Sequence, residues 1–373
     1  MTRMTRNVGI YNLHMRAMGG GEKLTLVAAE HLSLSHHVSL FCAEPLDKSK
    51  LESFFGVDLS RVEIRPLGGP GRIPRLIGKL RRDSAVSVSQ YHYEQLRRLD
   101  LDLFINNSYG SELICPASRG FFMCMFPHVT AQPNRAVIDS YSTVVAISRY
   151  AAEWVRRRWQ RDAEVVYPPC DDMGPPAAKE KMVLHVGRFL ADSTEDERHH
   201  KNQGVLLDAF KQMPDLHRAG WALHFAGSRG SDTSFADSLG QSAEGFPVYF
   251  HFNSPRDELR ELYRKAAIYW HATGYGFDAN TWPGKQEHFG ITTVEAMSAA
   301  AVPVVYASGG QKEIVTDGVD GFCWNDLDQL AAQTRNLAND AELRCRLGRQ
   351  AMIASRRFDR ESFAKAIDRV IVW

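Results

Sequence analysis

The sequence has no pair of cysteines at C-x-x-C spacing. Its six cysteines, at 42, 115, 124, 170, 323 and 345, are scattered. That argues against a zinc site or a disulfide framework and for reduced thiols in an intracellular protein. None of its fourteen histidines sits in H-E-x-x-H. The adjacent pairs His36–His37 and His199–His200 cannot both face one point on a helix or strand, so no metal site is expected. No apolar run approaches the roughly 20 residues that span a bilayer. The N-terminus, MTRMTRNVGIYNL, lacks an apolar signal core and a cleavage pattern, so a cytoplasmic location is expected. Neither G-x-G-x-x-G nor a Walker loop occurs, so no dinucleotide or ATP site is specified and no cofactor is expected. There is no short-period repeat and no low-complexity segment.

Net charge is also nearly absent, at +1, but it is unevenly placed. Residues 1–165 carry 22 Lys and Arg against 16 Asp and Glu, a balance of +6. The remainder carries 23 against 28, a balance of −5. A basic front half suits an anionic partner. It is not basic enough for nucleic acid to be the expected one.

What is present is a soluble composition, 44% hydrophobic and 24% charged over 373 residues, long enough for two cores. Apolar strand-like runs at 8–15, 38–44, 62–67, 102–108, 120–127 and 143–149 alternate with helical patterns such as 21–33 and 87–99. A second series follows. Its strands are 182–188, 221–227, 248–253, 268–272 and 302–307, and its helices 202–213, 256–266 and 292–301. Between the two series, VYPPCDDMGPPAAKE holds four prolines and three acids and reads as a linker. The expected architecture is α/β, with two Rossmann-like doubly wound domains facing across a cleft. The expected divisions are 1–166, a linker at 167–180, a second domain at 181–356, and a C-terminal helix at 357–373 that could pack back on the first domain. In such sheets ligands bind at the carboxyl ends of strands.

Four constellations carry chemistry. Gly19-Gly20-Gly21 stands between a strand and a helix, where backbone can approach a ligand and helix amides can hold an anion; a flexible turn explains it equally well. Arg188 ends a strand and Lys201 precedes a helix. Two cations there suit a diphosphate, although the acidic run Asp192–Glu197 could neutralise both. In EHFGITTVEAMSAA, Glu287 and Glu295 stand eight positions apart around a glycine and a helix start. Thr292 and Glu295 have the spacing of a capping box. The alternative is that the amides of Phe289, Gly290, Ile291, Thr292 and Thr293 face an anion while the carboxylates accept hydroxyl protons. The basic stretch RIPRLIGKLRR (72–82), and similarly WVRRRWQR (154–161), suits an anionic membrane surface or a solvated helix face. Asp100-Leu101-Asp102 and Asp326-Leu327-Asp328 have the metal-binding form Asp-x-Asp, but both fall where caps and turns account for them.

Taken together, the glycine loop, SRYAAEWVRRRW…VVYPPCD, Arg188, Lys201, Glu287–Glu295 and SGGQKEIV resemble a GT-B-fold retaining glycosyltransferase of the family 4, or group 1, type. The resemblance covers nearly the whole chain. It implies that Glu295 accepts the ribose hydroxyls of a nucleotide, Glu287 contacts the donor sugar, and the Phe289–Thr293 amides meet the diphosphate. Arg188 and Lys201 would neutralise the leaving group. It also implies donor contacts at Gly20 and Gly21, a nucleobase site near Asn253 and Leu259, and His128 facing the transferred sugar. The expected partners are a nucleoside-diphosphate sugar as co-substrate and a glycan or lipid-linked glycan acceptor. The chain would work in the cytoplasm or at the inner face of the membrane, without a metal. A non-catalytic binding protein and a nucleotide-sugar epimerase or a phosphorylase of the same architecture remain alternatives. His288 after the first glutamate, and the long loop 274–286 before it, depart from the family pattern.

Overall fold

A computed structural model describes residues 5–69, 87–129, 133–190, 201–230 and 232–371. The basic stretch 72–82 and the acidic run Asp192–Glu197 lie outside them. The chain divides into two compact units, residues 1–169 with 363–373 and residues 170–362.

The first unit runs β1 (Asn7–Tyr11), α1 (Gly20–Ser33), β2 (His37–Cys42), α2 (Lys48–Phe55), β3 (Val62–Pro66), α3 (Val88–Leu96), β4 (Leu103–Asn106), β5 (Gly120–Cys124), α4 (Arg135–Asp139), β6 (Thr143–Ala146), α5 (Arg149–Trp159) and β7 (Ala163–Val165). The second runs β8 (Glu180–Val186), α6 (Gln203–Lys211), α7 (Pro214–Arg218), β9 (Ala222–Gly227), α8 (Ser234–Ser242), β10 (Val248–Phe252), α9 (Arg256–Lys265), β11 (Ala266–His271), α10 (Ile291–Ser298), β12 (Val302–Tyr306), α11 (Gln311–Ile314), β13 (Phe322–Trp324), α12 (Leu327–Asn339), α13 (Ala341–Ser355) and α14 (Arg360–Val370), whose last two turns belong to the first unit.

Each unit is one parallel sheet. Strand order is β3-β2-β1-β4-β5-β6-β7 in the first and β10-β9-β8-β11-β12-β13 in the second. Strands buried on both faces explain the continuous apolar runs: every residue of β4, β5 and β11 is buried. In both sheets the order reverses at the middle, between β1 and β4 and between β8 and β11. Crevices for ligands open at such reversals, beyond the strands' carboxyl ends. The pattern expected from strand–helix alternation is therefore present twice, as the GT-B fold class requires.

Residues 170–180 are ordered against the second unit. Cys170 N–H donates to Phe358 O at 2.8 Å and Met173 N–H to Ser298 Oγ at 3.0 Å. Asp171, 7% exposed, accepts from Arg360 Nη2 at 3.0 Å and also binds Arg256. A buried carboxylate is tolerable here because two guanidiniums neutralise it. In the first unit, α14 contributes buried Phe363 and Ile367, and His31 Nε2 on α1 meets Asp368 Oδ1 at 2.9 Å.

Candidate functional site

At the carboxyl ends of β8 and β11 the second sheet gathers the predicted cations and the first glutamate. β8 leads through Gly187 to Arg188, whose side chain is exposed and forms no ion pair among the described residues. Gln203 Nε2, at the start of α6, donates to Arg188 O at 3.0 Å and fixes that turn. Lys201 lies just before α6. Its Nζ meets Glu287 Oε2 at 2.6 Å, with 17% and 10% of the two side chains exposed. The same oxygen meets His271 Nε2, at the end of β11, at 3.0 Å. Lys201 therefore pairs with Glu287, a partner 86 residues away, whatever the acidic run does.

His271 is fully buried, and burial lowers its pKa from the ordinary value. A neutral ring beside a carboxylate carries its proton on Nε2, where it donates to Glu287. Nδ1 is buried with no hydrogen-bond partner. Thr273 Oγ1 also lies 3.1 Å from Nε2. His185, on β8, binds Trp270 O through Nδ1 at 2.9 Å, and burial pushes its pKa down to about 3. Neither imidazole ring had a role in the sequence reading. A lone histidine ending an apolar strand gives no sign that the fold will set a carboxylate beside it.

Glu287 is held by its backbone too. The Ser308–Gly309–Gly310–Gln311 turn packs on residues 286–290, and Gly310 N–H donates to Glu287 O at 2.8 Å. Gly309 has φ +56°, and a Cβ there would stand 2.1 Å from Glu287 O. Gly290 has φ +124°, and a Cβ there would stand 2.3 Å from Gln311 Nε2. The two glycine motifs of the sequence, FG and SGG, thus meet face to face, and only glycine allows the approach. Ser308 Oγ donates to Gln286 Oε1, and Gln286 Nε2 donates to Phe277 O at 3.1 Å. Gln286 therefore closes the long loop 274–286 onto the site.

α10 begins at Ile291 with Gly290 as its N-cap and no side-chain cap. The capping box for which Thr292 and Glu295 have the spacing does not form. Thr292 Oγ1 instead accepts from Tyr269 OH at 2.7 Å, and Glu295 Oε2 accepts from Tyr263 OH at 3.1 Å. The first amides of α10, among them those of Ile291 and Thr292, have no intrahelical acceptor, and this helix end suits negative charge. Thr293 is fully buried with Oγ1 unpartnered. Gln311, also fully buried, has both amide atoms unpartnered.

Elsewhere in the unit, Asn253 follows β10 with φ +52° and accepts from Arg229 N–H at 3.2 Å, and Leu259 lies on α9 against the core. In the first unit, Gly20 and Gly21 open α1, and Gly19 N–H donates to Glu22 Oε2 at 2.8 Å. His128 follows β5, with its ring edge-on to Tyr109 at 5.6 Å and to Phe126 at 5.1 Å. The Asp-x-Asp segments are structural. Asp102 accepts from Asn7 N–H and pairs with Arg6, and Asp326 caps α12 through Gln329 N–H at 2.8 Å. Among the described residues no cluster of three or more His, Cys, Asp or Glu could hold a metal ion. In α5, Arg157 and Arg158 lie over Trp154 at 5.0 and 5.1 Å, and Glu153 pairs with Arg156 and Arg157. Among the described residues no helix is long and apolar enough to cross a membrane.

Residues 174–353 match the model of the family "Glycosyl transferases group 1". Sulfoquinovosyl transferase SQD2 of Arabidopsis thaliana is 24% identical over 183 residues, 48% of this chain and 30% of that protein. The Homo sapiens GDP-Man:Man(3)GlcNAc(2)-PP-Dol alpha-1,2-mannosyltransferase is 26% identical over 253 residues, 61% of this chain and 48% of that protein. The chain thus spans about a third to a half of the curated relatives it matches. Among solved structures, Anabaena Alr3699/HepE in complex with UDP and glucose superposes with TM-score 0.72 at 17% identity, covering 98% of this chain and 99% of that one. TarM superposes with TM-score 0.74 at 9% identity over the full length of both chains. Residues 174–353, nearly all of its second unit, are thus similar in sequence to the glycosyl transferases of group 1.

Proposed function

We propose that the chain transfers a hexose-type sugar from a nucleoside-diphosphate sugar to an acceptor hydroxyl, with the donor seated at the carboxyl ends of β8 and β11. One observation carries this reading: the Lys201–Glu287 pair stands at the sheet's reversal, in the family-matched region, beside the glycine-capped start of α10. Cation, carboxylate and helix amides are the groups a sugar diphosphate needs.

In this reading Glu295 takes the ribose hydroxyls, Glu287 the sugar hydroxyls, and the amides of Phe289–Thr293 the diphosphate. Arg188 and Lys201 neutralise charge as the bond from the anomeric carbon to the phosphate oxygen breaks. The acceptor oxygen forms the new bond on the same face, and its proton passes to the departing diphosphate, so the anomeric configuration is retained. The two cations and the helix end do the work for which other transferases use a divalent ion, so turnover proceeds without metal. Asn253 and Leu259 line the nucleobase. The roles of Gly20, Gly21 and His128 rest on the family resemblance alone. A glycan or lipid-linked glycan is the proposed acceptor, in line with the names of the mannosyltransferase relatives. The basic stretch 72–82 is proposed to meet anionic lipid, which flotation with and without anionic vesicles checks.

The test is a screen of UDP- and GDP-sugars for release of free nucleoside diphosphate, with and without oligosaccharide and lipid-linked acceptors, repeated in excess chelator. Acceptor-dependent release that survives the chelator, with an α-linked product from an α-donor, supports the reading. No release with any donor, or an inverted product, overturns it.

A further inference from the structure

Two buried side chains reach the two glutamates from the protein interior, one each. His271 ends β11 and donates from Nε2 to Glu287. Tyr263 on α9 donates from its hydroxyl to Glu295. Both are fully buried. Neither polar group is needed for packing. Tyr263 sits in an apolar cluster with Leu184, Val186 and Tyr269, where a phenylalanine would fill the space without the cost of burying a hydroxyl. His271 leaves Nδ1 unpartnered while Nε2 lies on Glu287.

The two contacts are independent of each other. One comes from a strand end and the other from a helix, and each ends on a different carboxylate. Burial holds His271 neutral and keeps the Tyr263 hydroxyl protonated, so both remain donors across the ordinary pH range. A carboxylate with a fixed donor behind it cannot rotate freely, and it presents its remaining acceptor sites in one direction.

We propose that His271 and Tyr263 are positioning residues with separate jobs: His271 sets Glu287 for the sugar, and Tyr263 sets Glu295 for the nucleoside. This rests on the donor-site reading above. It assigns sugar-dependent and nucleotide-dependent affinity to two different buried hydrogen bonds. Lys201 shares the Glu287 oxygen in this structure, so His271 is the contact that still orients that carboxylate when Lys201 turns to a diphosphate.

The test compares Tyr263→Phe, His271→Leu and His271→Gln with the parent chain. UDP and GDP affinities come from calorimetry, and kcat and KM come from the donor found active in the screen. Tyr263→Phe weakens nucleoside diphosphate binding about 10-fold and leaves kcat near the parent value, the size of a lost hydrogen bond to a charged group. His271→Leu leaves UDP and GDP binding unchanged and lowers kcat about 10- to 100-fold, the usual range for a lost supporting contact. His271→Gln, which keeps a donor at that reach, recovers most of it. A purely structural role predicts no such division. Nitrogen-15 spectra of the ring report the same contact without turnover, showing a proton on Nε2 and a bare Nδ1, with the signal displaced in Glu287→Ala. Absence of turnover and of nucleotide binding in the parent chain sinks the donor-site reading, and the ring spectra then decide the His271 contact alone. A proton on Nδ1, or both variants lowering the same constant equally, overturns the proposal.

Discussion

Replacing Glu287 should destabilise the second unit through a charge left behind, and a second substitution should relieve it. The Glu287 carboxylate is 10% exposed and takes two donors on one oxygen, Lys201 Nζ at 2.6 Å and His271 Nε2 at 3.0 Å. Glu287→Ala leaves an ammonium only 17% exposed with its acceptor gone, and a buried His271 N–H with Thr273 Oγ1 at 3.1 Å in place of the carboxylate. Stranding one member of a buried pair costs about 3–5 kcal/mol. Lys201 keeps some water, so the low end applies, about 3 kcal/mol. In a unit of this size that lowers the midpoint of thermal unfolding by about 6–12 °C. Lys201→Met alone costs less, because Glu287 keeps His271. The double variant Lys201→Met/Glu287→Ala removes both charges. It should regain about 1–2 kcal/mol over Glu287→Ala, since an ion pair exchanged for apolar groups is nearly neutral. Urea unfolding followed by tryptophan fluorescence gives the four free energies of the cycle, and Trp270 and Trp324 are buried reporters in this unit. Turnover should be lost in both variants that lack Glu287. If the double variant is as unstable as the sum of the singles, the two groups are not coupled, and the shared-carboxylate description of the site fails.

Other perturbations have equally definite outcomes. Gly309→Ala places a methyl group against Glu287 O at φ +56°, so it should cost about 2 kcal/mol or more and cut turnover, whereas Gly318→Ala, at φ +73° in open space, should cost about 1 kcal/mol and leave turnover intact; urea midpoints and rates check both. Asp326→Ala removes the cap of α12 and should cost about 1 kcal/mol without changing donor KM. Acid should destabilise the second unit: His185 titrates near 3 in the fold and near 6.5 when unfolded, so below pH 6.5 the unfolded chain binds a proton that the folded chain refuses. Stability then falls by about 1.4 kcal/mol per pH unit from this group between pH 6.5 and 3. His185→Asn should flatten that slope in urea midpoints measured at pH 7, 6 and 5, and an unchanged slope would assign the acid sensitivity elsewhere.

The sheets were legible in the sequence because parallel strands buried on both faces must be continuously apolar, and VSLFC, GFFMC and AAIYWH have no other use. The start of α10 was legible only in part. TTVE satisfies the spacing of a capping box, but the chain enters this helix through Gly290, two residues earlier than that motif would place it. Thr292 and Glu295 are then inside the helix, where their oxygens meet Tyr269 and Tyr263 instead of backbone amides. Local spacing could not reveal this, because the competing donors come from β11 and α9. The same holds for Lys201. An acidic run, 192–197, stands shortly before it in sequence, but its Nζ meets Glu287, just before α10.

The contacts that local spacing could not show come mainly from β11 and α9. Tyr263 lies in the last turn of the helix, Tyr269 lies inside the strand and His271 closes it, and each gives a hydrogen bond to the segment 287–295 that follows the long loop. An apolar strand in the middle of a parallel sheet is the most rigid support the fold offers, since it is paired on both sides, here with β8 and β12. Polar tips on such a strand are costly and cannot be solvated, so they are retained where they fix something else. The segment 287–295 is buried for most of its length and meets the Ser308–Gln311 turn through backbone contacts at glycines. The two carboxylates take their buried hydrogen bonds from α9 and from the end of β11. If those bonds orient the carboxylates, sugar selectivity in this chain should respond more to changes at 263, 269 and 271 than to changes at the exposed tip of the 274–286 loop. Parallel donor-specificity profiles of His271→Gln and Trp282→Ala would measure this, and a larger shift from Trp282 would place selectivity in the loop.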